Sequence, residues 1–135
     1  LLFTLTGPDG KEYFRKARPI LPDDDTRWDD AADNRLSYDL PLPLGSGWSA
    51  YGPALDGACQ AIAAYGPEVL VVSLGVDTFE LDPISKFKLR TEDYPKIGRR
   101  IAQLGLPALV VMEGGYAVEE IGVNAVGVLT GFEDA

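Results

Sequence analysis

The chain has 135 residues, 46% of them hydrophobic, so it can bury the core of one domain and is too apolar for a disordered protein. Its formal net charge of -9 repels nucleic-acid phosphates and anionic membrane surfaces, so we expect neither as a partner. The chain contains no histidine and one cysteine, which excludes imidazole catalysis and an internal disulfide within these residues alone.

The first 48 residues are predicted to form one strand and a long loop. Residues 1–6 are apolar and β-prone, and turn-forming residues follow them, so residues 1–10 are interpreted as a strand with its turn. Residues 11–48 are rich in proline and acidic residues and are predicted to be a surface loop. The chain begins within an apolar run and without an initiator methionine, which we interpret as the sign of a fragment.

From residue 49 onwards, helical and strand patterns alternate. Ser49 is predicted to cap the first helix, residues 68–74 form an apolar strand pattern, and Thr91 is predicted to cap the second helix. Residues 108–112 repeat the strand pattern, and a third helix is expected from about residue 118. Both strands are expected to be parallel and covered on both faces, because they show no polar alternation. Residues 49–135 therefore predict an α/β fold with a parallel sheet and flanking helices.

Two loops are expected at the carboxyl edge of this sheet, where open α/β sheets bind ligands. Asp77 lies in the loop after the first of these strands, and Tyr116 follows Gly114 and Gly115 in the loop after the second. Asp77 can bind a cation or cap a turn, and Tyr116 can donate a hydrogen bond to an oxyanion or cover the core. The residues alone leave these alternatives open. The glycine pair lacks the pattern of a phosphate-binding loop.

The segments "VVSLGVDTFELDP" and "VVMEGGYAVEEIGVNAVGVLTGF" resemble the C-terminal half of the histone deacetylase and acetylpolyamine amidohydrolase superfamily. The second segment is most similar to the bacterial acetylpolyamine amidohydrolases. The resemblance implies that residues 1–135 form the C-terminal portion of a single domain with a partial arginase/deacetylase-type three-layer fold. It also implies zinc-dependent hydrolysis of an acetylated polyamine or an acetyl-lysine substrate.

The resemblance also implies roles for four residues. Asp77 corresponds to an aspartate that binds the catalytic zinc, and Tyr116 corresponds to the tyrosine that hydrogen-bonds the scissile carbonyl oxygen. Gly114 and Gly115 correspond to the loop that positions this tyrosine. The histidines and the other metal-binding aspartate of the family site are absent from this chain, and a catalytic zinc usually needs three protein ligands. We therefore expect the fragment alone to be inactive and its site to be completed upstream in a longer parent chain.

Several further expectations accompany this interpretation. By the same resemblance, Thr4 and the Leu5 carbonyl are expected to contribute to the monovalent cation site that lies near the metal in the family. The alternative function is a non-catalytic remnant that serves as a binding or interaction domain. A manganese hydrolase of the arginase type is disfavoured, because the residues after Asp77 resemble the deacetylase pattern. With no signal-peptide pattern or apolar run long enough for a bilayer, we expect a cytoplasmic protein. A homo-oligomer is allowed, and an uncovered sheet edge predicts self-association of the isolated chain.

Overall fold

The structure, a computed structural model, describes residues 2–6, 12–13 and 40–135. Its strands are β1 (Leu2–Thr6), β2 (Glu12–Tyr13), β3 (Val69–Leu74) and β4 (Ala108–Met112). Its helices are α1 (Trp48–Tyr65), α2 (Tyr94–Ala102), which follows a 3-10 turn at Thr91–Asp93, and α3 (Ile121–Glu133). β2 lies within the predicted loop of residues 11–48, and residues 14–39 of that loop lie outside the described residues. No helix in the described ranges is long and apolar enough to cross a membrane.

The four strands form one sheet in the order β2-β1-β3-β4. β3 and β4 are parallel, with Leu70 opposite Ala108 and Leu74 opposite Met112, which confirms the predicted parallel pair. The chain between them includes α2 and is long enough for the crossover that parallel strands need. β1 is antiparallel to β3, so the sheet is mixed, and an antiparallel strand satisfies the other backbone edge of β3 equally well.

The helices of the described region bury one face of the parallel pair. Leu70, Val72 and Leu74 of β3 are buried in a core that also receives side chains from all three helices. On the opposite face, Leu109 of β4 is 58% exposed and Val111 is also exposed. The prediction that both faces are covered is therefore wrong for the described residues. A run of apolar residues indicates a strand that is suited to burial on both faces, but the second face is buried only where other helices or strands pack against it.

Two predicted helix caps are replaced by neighbouring residues. α1 is capped by the extended residue Gly47, without the side-chain hydrogen bond expected from Ser49. Before α2, Asp93 and not Thr91 stands at the N-cap position, and its side chain makes no capping hydrogen bond to the helix. Its carboxylate instead accepts the backbone N–H of Arg90 at 2.9 Å, which closes the 3-10 turn before α2. An acidic side chain also suits this position because it faces the positive end of the helix dipole.

α3 begins at Ile121, slightly later than predicted, and packs closely along α2. A Cβ atom on Gly98 would overlap the main-chain carbonyl oxygen of Val128, and one on Gly131 would overlap that of Pro95. The two helix backbones therefore touch where each carries a glycine. This contact holds α3, the helix that follows the candidate tyrosine, against α2.

Candidate active site

Two loops lie side by side at the carboxyl edge of β3 and β4. We call residues 75–82 the Asp77 loop and residues 113–117 the Tyr116 loop. The N–H of Glu113 donates to the carbonyl of Leu74 at 2.9 Å, and the N–H of Val76 donates to the carbonyl of Gly114 at 2.8 Å. These bonds continue the pairing of the parallel strands beyond their ends. The predicted juxtaposition of the two loops is confirmed.

The Asp77 carboxylate lies against main chain of both loops. A Cβ atom on Gly114 would lie 2.6 Å from Oδ2 of Asp77, and one on Gly75 would lie 2.9 Å from Oδ1. Neither distance leaves room for a methyl group. The structure therefore brings Asp77 and Gly114 together, as the sequence predicted, and the two glycines leave the space that the carboxylate occupies.

Gly115 is required for a different reason. Its φ angle is 151°, in a region that favours glycine, and a Cβ atom there would lie 2.6 Å from Cγ2 of Val76. The sequence predicted the glycine pair as a hinge that positions Tyr116. The structure adds that one glycine accommodates Asp77 and the other accommodates the packing of Val76.

A second carboxylate, that of Asp82, joins the two loops. Its Oδ1 accepts the backbone N–H groups of Ile84 at 2.9 Å and Ser85 at 3.1 Å, which closes its own turn. Its Oδ2 accepts the N–H of Tyr116 at 2.8 Å, 34 residues along the chain. The Asp82 residue is only 6% exposed. Desolvation alone would raise its pKa, but hydrogen bonds from backbone N–H groups outweigh this effect and hold the pKa of Asp82 below its usual value.

Tyr116 itself is 49% exposed, so its phenol is accessible to solvent or to a ligand. Its main chain is held by the bond to Asp82, and the following residue, Ala117, accepts the N–H of Ile121 at 2.9 Å at the start of α3. An accessible phenol on a fixed main chain can donate a hydrogen bond to a bound group.

Two further tyrosines stand near the Asp77 loop. The phenol of Tyr94, which is fully buried, donates to the carbonyl of Val76 at 3.1 Å and lies 3.2 Å from Oγ1 of Thr78. These contacts hold the main chain on either side of Asp77. Burial is the main cause that raises the pKa of the Tyr94 phenol. For Tyr51, burial and, to a smaller extent, the negative charge of Asp77 raise the pKa to about 12. Both phenols therefore stay neutral at physiological pH.

The described residues offer one of the donors that a catalytic zinc needs. Asp77 is chemically suited to this role, because carboxylate oxygens bind zinc. However, no group of three or more histidine, cysteine, aspartate or glutamate side chains suited to a metal ion occurs within the described ranges. The site is therefore incomplete in this part of the chain, and the monovalent cation site suggested at Thr4 and Leu5 stays a prediction.

Sequence reasoning did not assign a role to Asp82, Tyr94 or Tyr51. Asp82 precedes a proline, and the Asp-Pro pair signals a turn, but this signal does not reveal the bond to a loop 34 residues away. Tyr94 was predicted only as part of the apolar stripe of the second helix. No local pattern distinguishes a buried tyrosine that packs from one that also supports a loop.

Together, the parallel pair and its paired loops define an α/β protein with a carboxylate and an accessible phenol at the ligand-binding edge of the sheet. The profile of the histone deacetylase domain matches residues 13–132. The chain belongs to this family.

Individual relatives agree with this assignment. The chain is 56% identical to acetylpolyamine amidohydrolase 1 of Pseudomonas aeruginosa over 106 residues, which cover 78% of the chain and 31% of that relative. It is 57% identical to acetylpolyamine amidohydrolase of Mycoplana ramosa over 91 residues, 67% of the chain and 27% of that relative. The crystal structure of acetylpolyamine aminohydrolase from Burkholderia pseudomallei superimposes with a TM-score of 0.67 at 36% identity, over 70% of this chain and 28% of that one. The chain spans under a third of the length of these relatives.

Proposed function

We propose that this chain is the C-terminal part of a zinc-dependent deacetylase that hydrolyses acetylated amines. The observation that carries the proposal is the contact between the Asp77 carboxylate and Gly114, which joins the candidate metal ligand to the loop of the candidate catalytic tyrosine. The names of the similar proteins support the same reaction class, since several are acetylpolyamine amidohydrolases.

Asp77 is proposed as one protein ligand of the metal. Its carboxylate has space between Gly75 and Gly114, and both glycines keep side chains away from its oxygens. Zinc held by a complete ligand set supplies Lewis acidity toward a carbonyl oxygen and lowers the pKa of bound water. The remaining ligands and the base are proposed to lie in a longer polypeptide, because the described residues supply neither.

Tyr116 is proposed to stabilise the negative charge that develops on the scissile carbonyl oxygen. A phenol that donates a hydrogen bond to this oxygen lowers the barrier when the bond strengthens in the transition state. The half-exposed phenol and the hydrogen-bonded main chain of Tyr116 fit such a donor.

Two observations support a longer domain. The matched relatives are about three times as long as the aligned part of this chain, since the alignment covers 31% of the first of them. In addition, the exposed side chains of Leu109 and Val111 form an apolar sheet face that is suited to burial by further elements.

Acetylated polyamines are proposed as the substrate class, with acetyl-lysine as the competitor. The chain carries a formal net charge of -9, which attracts a cationic polyamine chain. The similar proteins with the printed name acetylpolyamine amidohydrolase support the same choice. A cytoplasmic location also stays a proposal.

The test is acetate release by the natural full-length polypeptide from an acetylated diamine and from an acetyl-lysine peptide. Tyr116→Phe should lower kcat by about 100- to 1,000-fold, the usual cost of one lost oxyanion donor. Asp77→Ala should lower both zinc content and activity, because it removes a ligand. The acetylated diamine should give the higher kcat/KM.

Two matched variants control for nonspecific effects. Tyr65→Phe removes the same hydroxyl from the end of α1, before β3 begins and thus at the other end of the sheet. Asp56→Ala removes a carboxylate whose partner is the partly exposed Arg100 at 3.0 Å. Both should retain activity. Full activity of Tyr116→Phe, or undiminished zinc content in Asp77→Ala, would refute the assigned roles.

The second candidate is a non-catalytic binding domain. It is favoured by the described ranges, in which no three histidine, cysteine, aspartate or glutamate side chains lie together as a metal site. Calorimetric titration of the natural polypeptide with zinc distinguishes the two: a deacetylase should bind one equivalent tightly, whereas a binding domain should take up none and still bind an acetylated amine or protein partner.

A further inference from the structure

Asp82 occupies a position that differs from those of the other acids in its loop. Glu80 is partly exposed and its carboxylate lies 4.0 Å from the exposed Arg90, a weak surface contact. Asp82 is instead buried and its two oxygens accept hydrogen bonds from two different loops. A buried carboxylate that accepts several backbone N–H groups holds the main chain firmly, because hydrogen bonds to a charged group are stronger than those between neutral groups.

The two oxygens of Asp82 have separable roles. Oδ1 bonds the N–H groups of residues two and three positions later, as in a common Asx turn. Such a turn needs only one oxygen. Oδ2 is left for the N–H of Tyr116, and this bond is not required by the local turn.

The bond from Oδ2 falls at the point where the Tyr116 loop is otherwise least constrained. On one side, the carbonyl of Gly114 accepts from Val76, and on the other, the carbonyl of Ala117 accepts from Ile121. Between these two anchors lie Gly115, which has wide backbone freedom, and Tyr116, whose side chain is half exposed. The phenol direction therefore depends on what holds the N–H of Tyr116.

We propose that Asp82 is a positioning residue: its Oδ2 fixes the main chain of Tyr116 and thereby aims the phenol at the substrate carbonyl. The inference rests on the proposed function of Tyr116. Asp82 itself touches neither substrate nor metal in this scheme, and it acts through the tyrosine.

Asp82→Ser separates the two roles. A serine hydroxyl can accept from the N–H groups of Ile84 and Ser85, as in an ST turn, but it is too short to reach Tyr116 as well. Hydrogen exchange of the full-length polypeptide, followed by mass spectrometry, should show the segment 113–117 exchanging about 10- to 100-fold faster. The segment 83–86 should keep its protection. This readout does not depend on catalysis.

Kinetics provide the second readout. Asp82→Ser should lower kcat and kcat/KM together by about 10- to 100-fold, because misplacing a donor that acts in the transition state leaves substrate binding unchanged. In a Tyr116→Phe background the same substitution should cause less than about a twofold further loss, because residues that act through one group are not additive. If Asp82 had a merely structural role, the losses of kcat caused by the Asp82→Ser and Tyr116→Phe substitutions would be fully additive.

Two variants guard against misinterpretation. Glu80→Gln removes a neighbouring charge of the same loop and should change neither exchange nor kcat. Asp82→Asn keeps the size of the side chain but turns one acceptor into a donor, so it should also expose the segment 113–117 if Asp82→Ser fails to fold.

The outcomes separate the inference from the proposed function. Unchanged exchange of residues 113–117 in Asp82→Ser, or additive losses in the double variant, would overturn the positioning role even if Tyr116→Phe is inactive. Faster exchange of residues 113–117 in Asp82→Ser, together with full activity of Tyr116→Phe, would support the hydrogen bond between Asp82 and the Tyr116 main chain and overturn the proposed role of the phenol.

Discussion

Gly114→Ala should displace the Asp77 carboxylate while leaving the fold unchanged. The backbone of Gly114 does not have a positive φ angle, so alanine meets no backbone strain there. The conflict is with Asp77, because the new Cβ atom would lie 2.6 Å from Oδ2 and 3.0 Å from Cγ, whereas ordinary contact begins at 3.4 Å. The carboxylate oxygen must therefore move by about 0.8 Å, which is more than the roughly 0.5 Å that a catalytic constellation tolerates.

The effect on catalysis follows from this displacement. A misplacement of about 1 Å costs about 100-fold in rate. We expect Gly114→Ala to lower kcat/KM of the full-length polypeptide by about that factor and to reduce its zinc content after dialysis. Thermal unfolding, followed by circular dichroism, should change little, because the half-buried Asp77 side chain can rotate away.

Gly122→Ala is the matched control. A Cβ atom at this position in α3 meets no atom within 4 Å, and alanine favours helix over glycine by about 1 kcal/mol. This variant should keep full activity and equal or higher stability. Wild-type zinc content and kcat/KM in Gly114→Ala would refute both the placement of Asp77 and its role as a ligand.

Three other predictions concern stability and association. Gly98→Ala should lower the free energy of unfolding by about 3 kcal/mol in urea titrations, because its methyl group would overlap the carbonyl oxygen of Val128. Tyr51 should stay protonated well above pH 10, with tyrosinate absorbance appearing only near its folded pKa of about 12. Because the folded protein holds the proton of Tyr51 more tightly than the unfolded chain does, the neutral phenol contributes to the free energy of unfolding. This contribution is fully present below the ordinary pKa of 10.0 and is lost as the pH rises from there toward 12. Val111→Lys should reduce self-association of the isolated chain in light scattering, because it places a charge on the exposed face of β4.

Each of these predictions has a clear contrary result. Unchanged urea stability in Gly98→Ala would mean that α2 and α3 do not touch at this point. A Tyr51→Phe variant with the same alkaline titration as the wild type would show that the late step belongs to another tyrosine. Val118→Lys changes a loop residue that is even more exposed than Val111. If Val118→Lys and Val111→Lys reduce self-association equally, the effect comes from the change in net charge and not from the sheet face.

The sequence alone was sufficient to predict the strand at residues 108–112, the strand that ends at Leu74, and the loops that follow them. These features depend on local chemistry, because runs of β-branched residues favour strands and glycines end them. The proximity of Asp77 and Gly114 could also be predicted, since parallel strands place the loops that follow them at the same sheet edge.

Helix ends were predicted less well, because a side chain that is able to cap a helix does so only where the backbone enters that helix. Ser49 and Thr91 both have suitable side chains, yet Gly47 and Asp93 stand at the N-cap positions of α1 and α2, and neither makes a side-chain capping hydrogen bond. The choice depends on where the preceding chain runs. A Cβ atom on Gly47, for example, would lie 3.1 Å from the carbonyl oxygen of Lys88, a contact that only the folded chain creates.

The acids of the Asp77 loop show what the sequence by itself determined and what only the tertiary structure decided. Their number and spacing are local properties, and the sequence established that carboxylates follow a buried strand at a ligand-binding edge. It did not distinguish a surface acid, Glu80, from the acid that holds the Tyr116 loop, Asp82. That distinction depends on burial and on a backbone N–H from a loop 34 residues away, and a hydrogen bond between distant segments exists only after the chain has folded.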